Sequence, residues 1–261
     1  MKRTINILLT VVLGVLAFCA CSKDDGLEKV KTTPVPEAVD LGIVVNGKTV
    51  KWASFNLGAS KPEEYGDYYA WGEREPYYKE GHSQDEPCLA WKNGKEKGYN
   101  WESYKWYAGK EYTLTKFTKY NYNNSYGIID NIKSLEFEDD AARVELGGNW
   151  RIPTKEELDA LCKDCTWEWT TLNGIYGEMV TGPNGNSIFL PAAGYFGGRA
   201  LWYQGFKGFY WSCSLNEIND APEYATYLRF DIDYTFPHKT DREFTTYTMR
   251  VLGCSIRPVT E

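Results

Sequence analysis

The chain reads as an α+β protein: one hairpin, then two short helices, then strand-like segments to the C-terminus. Three observations carry that reading. Apolar alternation brackets two-residue turns at Asn46-Gly47 and Asn173-Gly174. Thr154 followed three residues on by Glu157 is a capping box, the clearest helix start in the sequence. Between the first hairpin and the helices, regular periodicity disappears while tyrosine and tryptophan crowd together.

Taken in order, Lys2 and Arg3 precede an apolar run from Ile5 to Phe18, shorter than the roughly 18 residues a membrane span needs. Residues 1–20 are therefore expected to be a lipoprotein signal peptide, with lipidation at Cys21, which small Ala20 precedes. Cys19 suits processing less well because bulky Phe18 precedes it. Ser22-Lys23-Asp24-Asp25 is an acidic tag of the kind that follows the lipidated cysteine in surface-exposed lipoproteins of some Gram-negative bacteria. Several acyl chains hold a protein to a membrane essentially permanently, so the expected address is the outer membrane, with the domain facing out from the cell surface. Residues 21–37, with spaced Pro34 and Pro36, read as a flexible stalk. Residues 38–261 read as one domain with an insertion at about 60–132.

Within that domain Leu41, Ile43 and Val45 alternate up to Asn46-Gly47, and Val50 and Trp52 continue beyond it. The insertion is too rich in large aromatics to be disordered and is expected to be pinned by them. Ser134 to Val144 reads as the first helix, with Glu136 to Asp140 as its solvated, acidic start. Thr154 opens the second helix, which Leu158, Leu161, Cys162 and Cys165 turn inward. Hairpins follow around Asn173-Gly174 and Pro183-Asn184-Gly185, and further strands at Phe209 to Ser212, Ala225 to Phe230, and Met249 to Val259.

A family resemblance rests on ordered blocks. They are Val39-Asp40-Leu41-Gly42, Trp52-Ala53-Ser54-Phe55-Asn56-Leu57-Gly58-Ala59, Tyr65-Gly66-Asp67-Tyr68-Tyr69-Ala70-Trp71-Gly72-Glu73, Gly148-Asn149-Trp150-Arg151-Ile152-Pro153-Thr154, Leu190-Pro191-Ala192-Ala193-Gly194, Tyr210-Trp211-Ser212 and Ser255-Ile256-Arg257-Pro258-Val259. Together, over nearly all of residues 38 to 261, they resemble the Fibrobacter succinogenes major paralogous domain family. The resemblance implies a C-type-lectin-like fold, distantly similar to the formylglycine-generating sulfatase-modifying group and to tip domains of some adhesins and phage receptor-binding proteins. It implies a surface protein and carries over no catalytic residues.

Side-chain chemistry narrows the function classes. The formal net charge is −7, and losing Lys2 and Arg3 with the leader makes it more negative by two, so nucleic acid is excluded as a partner. His82 and His238 stand far apart, which argues against a histidine-based triad or metal cluster. Cys162 and Cys165 sit near a helix end, where the dipole opposes thiolate formation, so their expected role is structural. Among the cysteines past Cys21, Cys213 and Cys254 are the expected disulfide, worth roughly 4 kcal/mol on the chain-entropy estimate, with Cys88 to Cys162 or Cys165 as another pairing. No cofactor is expected; calcium through Asp231 and Asp233 is the alternative, without a matching calcium-loop signature.

Aromatic residues make up 16% of the chain, and core packing accounts for Trp52, Trp150, Trp169 and Trp211. Tyr195, Phe196, Trp202, Tyr203 and Phe206 differ, because Gly197, Gly198 and Gly205 interleave them. The expected contact set is Tyr195, Trp202, Tyr203, Asn216, Asp220, Tyr234 and His238. The leading expectation is a non-catalytic, adhesin-like recognition domain for a glycan or a cell-surface protein, held to the membrane by its lipid. The alternatives are an enzyme, either an oxidase like the formylglycine-generating group or a glycan hydrolase, and a structural component of envelope or fimbrial assembly.

Overall fold

The first hairpin folds where the alternation places it, as β1 (Ala38–Val45) and β2 (Lys48–Ala53) in antiparallel register. Asn46 and Gly47 both take positive φ, 52° and 78°, the backbone that matches a tight turn to strand twist. Leu41, Ile43, Val50 and Trp52 all end up buried. The protein is described here by a computed structural model covering residues 34–78, 90–109, 116–217, 220–232 and 244–261, so Cys21, His82, Cys88, Asp233, Tyr234 and His238 lie outside the described residues.

The α+β order holds. Helix α1 (Ala141–Leu146) and helix α2 (Lys155–Asp164) precede a meander of β3 (Thr166–Leu172), β4 (Ile175–Thr181) and β5 (Ser187–Pro191). A small hairpin of β6 (Tyr195–Gly197) and β7 (Ala200–Trp202) follows. Next come β8 (Lys207–Leu215), β9 (Tyr224–Asp231) and β10 (Phe244–Met249), hydrogen-bonded in the order β10-β9-β8. Finally β11 (Val259–Thr260) returns to pair with β2, Val259 opposite Trp52.

Helix α2 has the expected cap: the Glu157 amide donates to Thr154 Oγ1 and the Thr154 amide donates to the Glu157 carboxylate at 2.8 Å. Glu157 also accepts two bonds from the Arg151 guanidinium, at 2.6 and 2.7 Å, so the cap is tied to the strand-like entry that bridges Arg151 to Val259. The first helix is a correction. It starts at Ala141, after a single 3-10 turn at Phe137–Asp139, and of the acidic run before it Glu138 is solvated while Asp139 and Asp140 are not. Asp139 is buried and accepts from the Tyr120 hydroxyl and the Lys105 and Lys119 ammonium groups. Asp140 caps α1 through the Arg143 amide and accepts a second bond from the Ile152 amide. Asp140 thus serves two backbone amides, whereas Asp139 is neutralised by two lysines and a phenol.

The insertion has no strand among its described residues. It is organised by single bridges, Tyr78 with Trp91, Tyr107 with Phe117, and Tyr99 with Gly198, and by one 3-10 turn at Asn124–Tyr126. Side chains carry the remaining order. The Tyr68 hydroxyl donates to the Ala193 carbonyl at 2.6 Å, the Tyr104 hydroxyl to the Trp71 carbonyl at 2.7 Å, and the Trp106 indole to the Gly72 carbonyl at 3.0 Å. Trp71 and Trp211 exchange such bonds across the core, the first donating to the Ser212 carbonyl and the second to the Tyr69 carbonyl, each at 2.8 Å. A buried carbonyl without a partner would cost a kilocalorie or more, on the order of 1–3 kcal/mol, so these hydroxyls and indoles do what a sheet ladder does elsewhere.

Two of the blocks quoted above meet at Arg257, whose side chain is wholly buried. It donates to Asn56 Oδ1 and to the Ala53 carbonyl, both at 2.9 Å, and to the Phe189 carbonyl at 2.7 Å, fastening the chain end to β2 and β5. Burial pulls its pKa down to about 10.

Candidate ligand-binding surface

The site is built on the β6–β7 hairpin. Strand alternation puts the cross-strand pair Phe196 and Leu201 on one face and the pair Tyr195 and Trp202 on the other, where Tyr195 packs half-buried against the core and Trp202 is exposed. Phe196 is buried among Tyr68, Tyr78, Trp91 and Tyr99, with ring centroids 5.0 to 6.2 Å away. Trp202, Tyr203 and Phe206 instead keep 49%, 47% and 48% of their surface exposed, whereas most aromatic rings of the described residues are buried or half-buried.

The exposed rings stand on a held backbone. Tyr203 takes φ 59°, a left-handed conformation that non-glycine residues rarely adopt. It is fixed there because the Phe206 and Lys207 amides both donate to the Tyr203 carbonyl at 3.0 Å. At the base, Gly194 donates to the Lys207 carbonyl at 2.8 Å and lies so close to its neighbour strand that a Cβ would stand 2.1 Å from the Trp202 carbonyl oxygen. At the tip, Gly198 and Tyr99 exchange backbone hydrogen bonds of 2.8 and 2.9 Å. Rings so mounted lose little conformational freedom on meeting a ligand.

From the hairpin the ring contacts run down into the buried core beneath the sheet. Tyr195 and Tyr203 are 6.1 Å apart, Tyr195 lies edge-on to Phe209 at 4.8 Å, and Phe209 stacks on Tyr227 at 5.5 Å. The Lys207 ammonium sits 4.9 Å from the Tyr203 centroid and 3.4 Å from an Asp231 oxygen, and Asp231 also pairs with Arg229. This polar rim escaped the sequence reading: Asp231 had suggested calcium, but its carboxylate is held by two cations, and only register across β8 and β9, with Lys207 opposite Asp231, reveals the arrangement. Among the described residues no cluster of three or more potential metal ligands occurs.

The expected contact residues do not converge. Tyr195, Trp202 and Tyr203 gather at the Lys207 end of β8, while Asn216 follows its other end at Leu215, about 25 Å away at the usual rise per residue. Asn216 is buried, and its carbonyl accepts from the Tyr122 hydroxyl at 2.7 Å. Asp220 is exposed but its carboxylate and carbonyl accept from the Asn123 amide group at 2.9 and 2.8 Å. Both therefore anchor the insertion to the loop after β8.

The expected disulfide between Cys213 and Cys254 is not formed; both are free thiols, buried in the same cluster under the sheet. They behave as small apolar side chains, and burial pushes both thiols above their ordinary range, which keeps them protonated and unreactive. The Cys165 thiol, at the C-cap of α2, is pushed up to about 11 by burial and by Asp164, in keeping with a structural role. No helix among the described residues is long and apolar enough to cross a membrane. No family model, curated protein or solved structure matches the chain.

Proposed function

We propose that this chain is a surface recognition domain of C-type-lectin-like fold, of the kind its sequence blocks resemble, tethered by lipid at Cys21 and binding a glycan or protein ligand without catalysis. The observation that carries the reading is the exposure of Trp202, Tyr203 and Phe206 at the end of β7 and in the loop after it, beside a hairpin whose base and tip are both fastened. Flat rings with polar tips suit the C–H faces of sugars and the anchor positions of protein interfaces. The Lys207 and Asp231 rim supplies donors and acceptors that set orientation.

The test is a glycan-array and cell-surface-protein screen with the chain from Asp24 onward, run with calcium and again with chelator. Saturable binding is expected, and replacing Trp202 and Tyr203 together by alanine should abolish it while the melting temperature holds. If a folded protein binds nothing on either panel, free-ligand recognition is wrong and an envelope-assembly role takes its place.

A further inference from the structure

A second concave site lies in the insertion, distinct from the hairpin surface. It is a cleft of about 180 Å³ lined by four cationic side chains, Arg74, Lys92, Lys95 and Lys105, against two carboxylates, Glu73 and Glu75. With the Lys105 ammonium engaged by Asp139, three cations face two carboxylates, an excess of one positive charge in a chain of net charge −7. Sites for drug-sized molecules begin near 300 Å³, so this one fits a single charged group rather than a whole ligand.

The two carboxylates are not equivalent. Glu73 is buried and fully engaged: it accepts from the Tyr77 hydroxyl, from the Lys105 amide at 2.7 Å and from the Lys95 ammonium at 3.0 Å. Lys95 donates further to the Ser103 carbonyl and stands 3.8 Å above the Tyr77 ring, so Glu73 fixes this cation in the wall and is itself neutralised. Glu75 is different. Its pair with Lys92, at 2.9 Å, is solvent-exposed, and such pairs open easily. Arg74 is exposed and makes no direct ion pair or hydrogen bond among the described residues, but its charge, after that of Lys92, helps hold the Glu75 carboxyl below its ordinary range. The Lys105 ammonium faces away, onto Asp139 at 3.1 Å.

The walls are pre-organised. Tyr77 stacks on Tyr99 at 4.3 Å and 7°, and Tyr99 is the residue that clamps the tip of the β6–β7 hairpin. Lys92 is anchored through its amide to the Tyr77 carbonyl at 2.9 Å, and the Lys95 amide closes a turn onto the Lys92 carbonyl.

We propose that this cleft binds a single carboxylate group. The Arg74 guanidinium offers a fork of donors matched to the two carboxylate oxygens, and Lys92 exchanges its exposed Glu75 partner for the bound anion. Lys95, paired with Glu73, holds the wall in place without adding net charge.

The probes are glucuronate, acetate and glucose, titrated into the full chain at low ionic strength and in 1 M sodium chloride, with indole NMR shifts and calorimetry as readouts. Glucuronate should bind saturably and glucose should not. At 1 M salt, where the Debye length is about 3 Å, affinity should fall at least roughly tenfold. Arg74→Gln should weaken glucuronate by about tenfold or more, the usual effect of losing a charge-assisted bond. Because Arg74 is exposed, that variant is expected to fold, and its circular dichroism checks this. Acetate binding equal to glucuronate would assign the site to the carboxylate alone; tighter glucuronate would assign it to an acidic sugar; both support the proposal. Trp202→Ala with Tyr203→Ala should leave the glucuronate affinity unchanged, which separates this site from the hairpin surface. Absence of saturable carboxylate binding, or binding that persists in both Arg74→Gln and Lys92→Gln, overturns it.

Discussion

The insertion and the β6–β7 hairpin are made of the same side chains used in opposite ways. In the insertion Tyr68, Tyr77, Tyr78, Tyr99 and Tyr104 are buried, and their hydroxyls reach backbone or carboxylate groups that no strand serves. On the hairpin the backbone is already paired, so the rings of Trp202 and Tyr203 are free to face outward. Aromatic hydroxyls thus replace ladder bonds where the chain lacks them, whereas on the paired hairpin alternation alone decides, burying Phe196 and exposing Trp202. The two regions meet at Tyr99, which is both core ring and clamp for the hairpin tip.

The harshest way to break this comparison is alkali. Burial raises the phenols of Tyr68, Tyr69, Tyr77, Tyr78, Tyr99 and Tyr104, and pushes Tyr210 up to about 12, against about 10 for an exposed tyrosine. A folded-state value above the unfolded one means the folded state holds protons the unfolded chain has lost. The contribution is intact below pH 10 and disappears as pH rises through the folded value, at about 1.4 kcal/mol per pH unit for each such group. Stability should therefore collapse within about one unit above pH 10, phenolate absorbance and loss of structure appearing together. Gradual phenolate titration with the fold retained would contradict the buried-hydroxyl account.

Next in size is Tyr99→Ala, which removes a ring from the aromatic cluster and leaves the Tyr68 carbonyl without its 2.5 Å donor. A loss of about 3–5 kcal/mol is expected from chemical denaturation. Gly98→Ala should cost somewhat less, about 2–3 kcal/mol: φ is 71° and the new Cβ would stand 2.1 Å from the Gly198 carbonyl, so the clamp between insertion and hairpin must open. If that variant also loses ligand binding at the hairpin while remaining folded, the clamp is shown to position the exposed rings. The smallest effect sharpens the contrast: Trp202→Ala should change stability by about 0.5 kcal/mol or less, since half of that ring is in solvent. A loss of several kilocalories there would make the ring part of the core instead.

Some of this was legible in the sequence. Turns at Asn46-Gly47 and Asn173-Gly174, the Thr154 cap and the α+β order were read correctly, because each depends on residues within a few positions of one another. The exposed pair of Trp202 and Tyr203 was also visible, through the glycines beside it. Asn216 was misread as a contact residue because polarity between strands looks alike whether a loop faces solvent or ties down another loop. Asp139 and Asp140 differ from the reading for a similar reason: an acidic run before a helix ordinarily meets water, as Glu138 does, but lysines, Tyr120 and backbone amides meet these two first.

What the sequence determined by itself was local: where the chain turns, where α2 begins, and which strands alternate. What only the tertiary structure decided was which polar atoms find each other. The Tyr68 hydroxyl is 125 positions from Ala193, and the Arg257 guanidinium is 201 positions from Asn56. No local spacing encodes such pairs. They form because a buried donor or acceptor must be matched by whatever group the fold brings near, and that match sorts this chain's many aromatics into those that hold the domain together and those that face outward.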